Sequence, residues 1–319
     1  MDEILDIKIT PHYDLSEISN KRDIVDIDCR EDDIYILIKQ KQRISTKSNY
    51  DINSSTNSYH IYLIKNNKDI VHICSINNTM DVHFLRRLKD NDDFLLVCAR
   101  CRFYSCNNIE KNAFIVNSSG EIKKTLVLGD GIEDIKIENQ IIWVSYFDEG
   151  VFGNFGWDNP NHRIGADGLV AFTMNGEKAY GYNSKCGNEH FISDCYAFNI
   201  DDNGEKWIYS YDEFILCKLN RNNQEKYYFC DNIGGSLLLV YSDYILMDGG
   251  YKNRDLLTIY KRNKDNFIKT IDIRLLCNTS NKKLEMIKRY YNKDILIVYE
   301  NNIIYKTRLS DILEQKSLI

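Results

Sequence analysis

The strongest constraint in this sequence is a hairpin signal that recurs along its length. Turns rich in Asn or containing Gly stand at residues 66–69, 117–120, 175–176, 220–223 and 263–266. Each turn lies between two short runs of alternating apolar residues, such as "SYHIYLI" before the first turn and "DIVHICSI" after it. A turn of this kind between alternating strands predicts a β-hairpin. Further strands accompany each hairpin, and a repeated four-stranded unit predicts an all-β fold, the β-propeller.

The strand patterns divide the chain into six predicted blades within a single domain. They cover residues 23–77, 80–129, 132–184, 191–231, 234–274 and 284–309. The sixth blade has three strands of its own, and the N-terminal run at residues 4–10, "ILDIKIT", has no other blade to join. We therefore predict a six-bladed propeller of four-stranded blades, closed by this N-terminal strand, because closure removes an exposed sheet edge. Five blades would result if the sixth were a cap on the ring.

The composition indicates in which cellular compartment the protein is expected. The chain has 319 residues, of which 43% are hydrophobic, and ten cysteines whose spacing forms no disulfide framework. Several cysteines stand inside strand patterns, where a reduced cysteine behaves as a small hydrophobic residue. No apolar run approaches the roughly 20 residues that a membrane helix needs. We therefore expect a monomeric, cytoplasmic protein of bacterial type that is stable without disulfides and does not bind a membrane.

Charge gives a weak argument for a nucleic-acid partner. The net charge is −6, but residues 252–294 contain twelve Lys or Arg against five Asp or Glu. A local positive surplus can face nucleic acid or an acidic partner. The same lysines can also keep the outer strands solvated and their edges unpaired. No basic and aromatic residues interleave as in a nucleic-acid motif, so a nucleic-acid partner is not expected.

The connection between the second and third strands is predicted to be long in three neighbouring blades. These connections cover residues 40–57, 99–111 and 147–167, and they lie on one face of a propeller. The third, taken with its flanking residues 146 and 168, combines acidic and aromatic side chains with five glycines, and its candidate binding residues are Tyr146, Asp148, Glu149, Phe152, Phe155, Trp157, His162 and Asp167. Aromatic residues beside acids suit a cationic peptide or a sugar, and carboxylates suit Ca²⁺. The alternative is a compact loop whose aromatic side chains pack on their own blade.

Two other groups of residues are candidates for chemistry. Cys98, Cys101 and Cys106 contain a C-x-x-C spacing, but a zinc site needs four ligands, and we expect structural cysteines, with Cys98 facing the core. The second group stands where inner strands begin, at the predicted channel mouth, and comprises Asp81, Glu133, Asp134, His190, Ser193, Asp194 and Glu285. Converging acids could hold a cation or exchange protons with a substrate. Polar residues there could equally face the water of the channel.

Two segments carry a resemblance to a known group. Residues 203–211, "NGEKWIYSY", and residues 139–150, "NQIIWVSYFDEG", match loosely the D-x-x-G-x-L-W pattern of lactonase-like enzymes. With the repeat count and the Asn and Gly turns, the chain resembles the six-bladed propellers of the NHL and lactonase-like group. It departs from them because the pattern does not recur in successive blades, and WD40 and kelch signatures do not occur. The resemblance implies the fold, and function must come from a site.

The sequence therefore predicts a binding module that uses the loop-rich face of blades 1–3. Another protein is the expected partner, with a small molecule or a glycan as alternatives. A hydrolase or lyase with a carboxylate or metal site at the channel mouth, and a carbohydrate-binding propeller, remain open as alternative functions. No cofactor is expected, although Ca²⁺ at the acidic loop stays open.

Overall fold

The structure, a computed structural model, describes residues 4–19, 22–40, 56–65, 69–89, 92–186 and 190–316. It is dominated by β-strands, which form successive antiparallel units along the chain. The chain begins with β1 (Ile4–Ile9), β2 (Pro11–Asp14) and the short helix α1 (Ser16–Ser19). Unit 1 contains β3 (Arg22–Arg30), β4 (Asp33–Gln40), β5 (Asn57–Lys65) and β6 (Asp69–Asn78). Unit 2 contains β7 (Phe84–Arg87), β8 (Phe94–Val97), a small hairpin of β9 (Phe103–Ser105) and β10 (Asn108–Ile109), β11 (Ala113–Val116) and β12 (Ile122–Leu126).

The later units follow the same plan. Unit 3 contains β13 (Ile132–Glu138), β14 (Ile141–Tyr146), helix α2 (Asp148–Phe152), a 3₁₀ turn (Ile164–Asp167), β15 (Leu169–Thr173), β16 (Lys178–Gly181) and helix α3 (Tyr182–Cys186). Unit 4 contains β17 (Cys195–Ile200), β18 (Lys206–Ser210), β19 (Leu216–Leu219) and β20 (Glu225–Cys230). Unit 5 contains β21 (Leu238–Tyr241), β22 (Tyr244–Gly249), β23 (Asn253–Asn263) and β24 (Asn266–Cys277). Unit 6 contains β25 (Lys288–Asn292), β26 (Ile295–Glu300), β27 (Ile303–Arg308) and helix α4 (Leu309–Gln315).

The units are arranged as in a propeller. The inner strands β3, β7, β13, β17, β21 and β25 follow one another around a central channel, and β25 returns to contact β3. Between neighbouring units lies an apolar layer, for example Leu37, Ile61 and Leu96 between units 1 and 2. The hydrophobic core is thus divided into layers between radial sheets, which is typical of propellers.

The division into sheets is coarser than the sequence predicts. Units 1, 2 and 3 are separate four-stranded sheets, and unit 6 becomes a fourth when β2 joins it. Units 4 and 5, predicted as separate blades, share one nine-stranded sheet that also includes β1. The outer strands β20 and β24 join them by pairing in parallel over two residue pairs.

The prediction that residues 4–10 supply the outer strand of the last blade is wrong. Strand β1 pairs in parallel with β24 of unit 5, from Ile4 opposite Asp272 to Ile9 opposite Cys277. The outer strand of unit 6 is β2, which pairs antiparallel with β27. The reason is burial, since Ile7 and Ile9 on β1 enter the apolar layer that units 5 and 6 share. Pro11, which lacks a backbone N–H, is suited to the edge position that β2 occupies.

The Asn-rich turns form by local hydrogen bonds. The Asn117 side-chain oxygen accepts hydrogen bonds from the N–H groups of Ser119 at 3.0 Å and Glu121 at 2.9 Å. Asn220 does the same for Asn222 at 2.8 Å. Both turns join the third and fourth strands of their units. The turn predicted at residues 66–69 lies largely outside the described residues.

Because successive strands are antiparallel, the connections divide between two faces. The connections from second to third strand and from one unit to the next lie on one face, which we call the loop face. The remaining connections lie on the opposite face, the turn face. Two of the three long loops predicted for the loop face are described, in units 2 and 3, whereas residues 41–55 of unit 1 lie outside the described residues. No helix in the described part of the chain is long and apolar enough to cross a membrane.

Candidate functional site

The central channel contains a cavity of about 290 Å³. All the inner strands but β21 contribute to its lining, and Ser236 lies just before β21. The charged residues of the lining are Asp26, Asp28, Arg30, Arg86, Glu133, Asp134, Lys136 and Arg289. Positive and negative charges are therefore equal in number along this wall.

Arg86 connects three units inside the channel. Its guanidinium donates to Asp26 of β3 at 2.6 Å, to Asp134 of β13 at 2.8 Å and to the carbonyl oxygen of Ile135 at 2.5 Å. Burial works to lower the pKa of Arg86, but the carboxylates of Asp26, Asp134 and Asp28 raise it overall. The guanidinium therefore stays charged and ties inner strands together, so its donors are already committed to the protein.

Lys136 continues this network toward unit 6. Its ammonium lies 2.9 Å from Asp134, donates to the carbonyl oxygen of Tyr291 at 2.7 Å and lies 4.4 Å from the centre of the Tyr291 ring. Burial lowers the pKa of Lys136, against the opposing attraction of Asp134. Arg289 is held in a similar way by buried Asp248 and by Ser236. The positive groups of the channel are thus paired, which favours a structural role for its interior.

The structure brings together three of the residues predicted at the channel mouth. Glu133 and Asp134 line the cavity, and Asp194 is close enough to Glu133 to affect its charge. The channel walls desolvate the Glu133 carboxyl, and with the charges of Asp134 and Asp194 they raise its pKa to about 7. Partial burial, Asp148 and Asp212 raise the pKa of Asp194 to about 6. Glu133, Asp148, Asp194 and Asp212 therefore form a group of acids that repel one another.

The other predicted mouth residues lie outside the cavity lining. Asp81 forms an ion pair with Lys39 at 2.5 Å and accepts a hydrogen bond from the Tyr59 hydroxyl at 3.1 Å. The His190 ring contacts Glu213 at 2.8 Å. These residues are held between neighbouring strands and loops.

Ser193 and Glu285 are placed by backbone hydrogen bonds. The Ser193 N–H donates to Asp212 at 2.8 Å, and the Glu285 N–H donates to Glu300 at 2.8 Å. Neither residue lines the channel cavity. Position at the start of an inner strand was therefore too coarse a criterion for a residue that faces the channel.

A group of aromatic side chains, which the sequence reasoning missed, borders the mouth. Tyr196 lines the cavity, and its ring centre lies 5.8 Å from that of Tyr211, 6.1 Å from Phe214 and 6.2 Å from Tyr251. The hydroxyls of Tyr196 and Tyr251 lie 2.5 Å apart. We call these four rings and the four neighbouring acids the mouth cluster: Glu133, Asp148, Asp194, Tyr196, Tyr211, Asp212, Phe214 and Tyr251.

The short loops of units 4 and 5 supply half of the mouth cluster, namely three of its four rings and Asp212. Tyr211 is 50% exposed and Tyr251 is 55% exposed, although the loops that carry them are only a few residues long. The signal available in the sequence was "SYDEF" at residues 210–214, where two acidic residues stand between two aromatic residues directly after a strand. This segment is not among the predicted binding residues, because the prediction rested on the longest loops.

The long loop of unit 3 is more buried than its composition suggests. Trp157, a candidate binding residue, is only 2% exposed, and its indole N–H donates to the carbonyl oxygen of Cys101 at 2.7 Å. Tyr146 is fully buried and donates to the carbonyl oxygen of Leu128. Asp167 is also buried, and it accepts hydrogen bonds from Lys178 and Ser184. These three candidate residues therefore hold the loop in place.

The loops of units 2 and 3 interlock. The Phe155 ring lies beneath two cations, with the guanidinium carbons of Arg100 at 4.3 Å and Arg102 at 4.9 Å from its centre. Gly156 has a φ of +92°, and a Cβ built there would lie 2.1 Å from the carbonyl oxygen of Phe103. Glycine is thus required at this close approach of the two loops.

Three other candidate residues of this loop interact with unit 2 or with the next unit. Glu149 forms an ion pair with Arg100 at 2.5 Å. The His162 ring stacks on Phe103 with 5.5 Å between ring centres, and its Nε2 lies 3.6 Å from the Cys106 sulfur. Phe152 is 56% exposed and its ring centre lies 6.4 Å from that of Phe191.

Asp148 is exposed beside this ring pair. Asp148 and Phe152 therefore remain available on the surface at the side of the loop that faces unit 4.

Cys98 is buried, as the sequence predicts. Cys98 and Cys101 are buried, whereas Cys106 is exposed. Burial raises the pKa of Cys98 to about 12, so its thiol stays protonated. Within the described part of the chain, no group of three or more His, Cys, Asp or Glu residues could hold a metal ion.

Comparison with known proteins shows the fold. No protein-family model and no curated protein matches the chain. Among solved structures, Hsv2 of Kluyveromyces lactis matches with a TM-score of 0.50 and 12% identity, over 92% of this chain and 77% of that one. An inactive virginiamycin B lyase of Staphylococcus aureus, solved with quinupristin, matches with a TM-score of 0.50 and 8% identity, over 93% and 98%. The WD40 β-propeller domain of Doa1 matches with a TM-score of 0.44 and 12% identity, over 75% and 78%. Hsv2 and the lyase, which match with a TM-score of 0.50, are propeller proteins, and at these identities they indicate a resemblance of fold alone.

Proposed function

We propose that this protein is a binding module that recognises another protein through its loop face. The supporting observation is where the exposed large apolar side chains lie. Among the described residues, those that lie outside the four-stranded and nine-stranded sheets are all on the loop face: Tyr104, Phe152, Phe191, Tyr211, Ile233, Tyr251 and Ile287. Exposed apolar and aromatic residues grouped on one surface are typical of protein interfaces.

Within this proposal the ring has six blades, and units 4 and 5 count as two of them. Each has four antiparallel strands of its own, and the link between β20 and β24 extends over just two residue pairs. The protein acts as a cytoplasmic monomer. The ten cysteines are free thiols, which is consistent with a reducing compartment.

The predicted loop residues divide into two roles. Tyr146, Trp157 and Asp167 fix the shape of the loop from inside. Asp148 and Phe152, exposed on its outer side, contact the partner. The binding surface therefore extends from the long loop of unit 3 toward the mouth cluster, rather than over units 1–3 alone.

Site-specific photo-crosslinking tests this proposal. Benzoylphenylalanine is placed at Phe152 or Tyr211 on the loop face, and at Asn175 or Asn222 on the turn face as matched controls. These positions lie in connections of units 3 and 4, and all four are exposed. We expect discrete crosslinked products in cell extract from the loop-face positions and a background signal from the turn-face positions. Equal products from both faces, or none from either, would contradict the proposal.

An enzymatic function, the second candidate, has one observation in its favour. Glu133, with a pKa of about 7, and Asp194, with a pKa of about 6, stand together at the channel mouth. Carboxyl groups with such values can exchange protons near neutral pH. A panel of ester, lactone and polysaccharide substrates would test for hydrolysis or elimination. Activity that Glu133→Gln abolishes, in a protein that stays folded, would favour this candidate.

A further inference from the structure

We infer that the mouth cluster is the docking site for a positively charged segment of a partner protein, rich in Arg or Lys. This inference rests on the protein-binding role proposed above, and it adds the chemistry of the partner and the place where it binds. Two independent features of the cluster support it, the arrangement of its rings and the sign of its charge.

The aromatic rings form a continuous surface at the edge of the channel. Tyr211 and Phe214 meet edge to face with 5.6 Å between ring centres, and Phe214 and Tyr251 do so at 6.0 Å. The rings are thus fixed by one another before a ligand arrives. Ordered aromatic side chains give contact area at low entropic cost, and aromatic ring faces attract cations.

The acids around these rings give the surface its sign. The backbone carbonyl oxygen of Asp194 accepts a hydrogen bond from the Tyr211 N–H at 2.9 Å, so the two residues lie side by side, directly before β17 and directly after β18. Burial and, after it, the charges of the neighbouring acids Asp148 and Asp212 raise the pKa of Asp194, so both acids lie close enough to Asp194 to act on its charge. A cation bound between them would relieve the repulsion among these acids, and charge complementarity also speeds association.

The occupant must be an extended segment rather than one small cation. The four rings pack against one another, so they leave no open cage that would enclose a single ammonium group. Phe152, on the same helix as Asp148, and Phe191, three residues before Asp194, form a second ring pair. Two aromatic groups that each adjoin acids fit a chain in which basic residues alternate with apolar ones.

The surrounding charges set the direction of that segment and exclude other classes of partner. Lys252 and Arg254 follow Tyr251 and are exposed at the unit 5 side. The basic residues of the partner should therefore lie over units 3 and 4, and its apolar residues should lie toward unit 5. Phosphate groups of nucleic acid or of an anionic membrane would meet carboxylates at the centre of the site, which disfavours both.

Fluorescence anisotropy with a short labelled peptide tests the inference. The probe alternates Arg and Lys with Leu and Gly, and a matched peptide carries Glu in place of the basic residues. We expect the basic peptide to bind and the acidic one not to bind. Asp194→Asn with Asp212→Asn should weaken binding by about tenfold, because the amide keeps the size and hydrogen bonds of the acid but loses the charge. Tyr211→Ala with Tyr251→Ala should weaken it by about as much.

A charge-matched control separates the site from general attraction to an acidic protein. Asp158→Asn with Glu177→Gln removes the same charge from exposed positions outside the mouth cluster, and it should leave the affinity unchanged. Equal weakening by this control would overturn the inference, as would equal binding of both peptides. Binding of a neutral oligosaccharide at Tyr211 and Tyr251 without salt dependence would also overturn it, in favour of a glycan. In either case the photo-crosslinks from the loop face would remain an independent measure of the protein-binding role.

Discussion

The long loops of units 2 and 3 and the short loops of units 4 and 5 lie on the same face but use their aromatic residues differently. In the long loops, Trp157 and Phe155 lie against groups of the neighbouring loop. In the short loops, Tyr211 and Tyr251 stay about half exposed. A long loop must satisfy its own backbone and fill its own interior, so it buries some of its aromatic residues, Trp157 among them, even though it leaves Tyr104 and Phe152 exposed. A short loop held by two strands can leave them on the surface. Length therefore marks where the chain builds extra structure, and short loops can carry the binding surface.

The largest effect should come from removing the buried anchor of the long loop. Trp157→Ala should lower the free energy of unfolding by about 3–5 kcal/mol, because it leaves a cavity and removes the hydrogen bond to Cys101. Tyr251→Ala, a change of an aromatic residue in a short loop, should cost less than about 1 kcal/mol. Urea denaturation of both variants measures the difference. Similar losses in the two variants would remove the contrast between the loops.

A smaller loss should follow from breaking the ion pairs at the base of the long loop. Arg100 donates to buried Asp130 through two nitrogens, each at 2.9 Å, and also pairs with Glu149. Arg100→Gln would leave Asp130 with the backbone N–H of Cys101 as its remaining strong donor, at an expected cost of about 1–3 kcal/mol. Asp212→Asn in the short loop is the comparison and should be nearly neutral. Protection of the loop amides in hydrogen exchange would show whether the long loop itself loosens, as we expect.

The mouth cluster should respond to pH in the opposite sense to an ordinary ion pair. Folding raises the pKa of Glu133 to about 7, so the folded state favours the protonated carboxyl. The contribution of the protonated carboxyl to the free energy of unfolding is present at acidic pH and is lost as the pH rises through 7. Glu133→Gln should therefore raise Tm slightly at pH 8, by about 1–2 °C, and by less at pH 5. Glu177→Gln, an exposed acid of the turn face, is the control. A gain that is the same at both pH values would argue against a raised pKa of Glu133, which has desolvation as its first cause and the charges of Asp134 and Asp194 as its second.

The smallest effect concerns a thiol on the interlocked loops. Cys106 is exposed, whereas Cys98 and Cys101 beneath it are buried. Titration of the folded protein with a thiol reagent should give a fast reaction at Cys106, and Cys106→Ser should remove it. Denaturation without reductant should then reveal close to ten free thiols in the unchanged protein. Two or more missing thiols would indicate disulfides and contradict a reducing location.

The features that the sequence predicted correctly depend on local interactions. The turns at Asn117 and Asn220 form because each side chain bonds to the backbone N–H groups that follow it. Alternation of apolar residues indicates the strands for the same reason, since neighbours in sequence decide it. Cys98 stands in such a pattern and is buried as predicted.

The features that the sequence did not reveal depend on distant partners. Whether Trp157 is exposed is decided by the carbonyl of Cys101 in another unit, and nothing near residue 157 records that contact. The triple change of Asp148, Glu149 and Trp157 to Ala, three candidate binding residues, should therefore destabilise the protein. The partner of β1 is equally distant. The charges of the channel did leave a trace, because Asp26 and Asp28 alternate within "IVDIDC", and alternation places both on one side of an inner strand.

The pairing of β2 with β27 has a consequence for how the ring is made. Asp14 lies opposite Ile303, so β2 emerges from the ribosome long before its partner, roughly 290 residues earlier. At about 5–20 residues per second, this first segment waits about 15–60 s for the strand that it must join. During that time, strand β27 of another chain whose synthesis is further advanced can pair with the waiting β2 in the same way. Crowded synthesis should therefore favour dimers that have exchanged their N-terminal segments, and faster elongation or more dilute synthesis should favour the monomer.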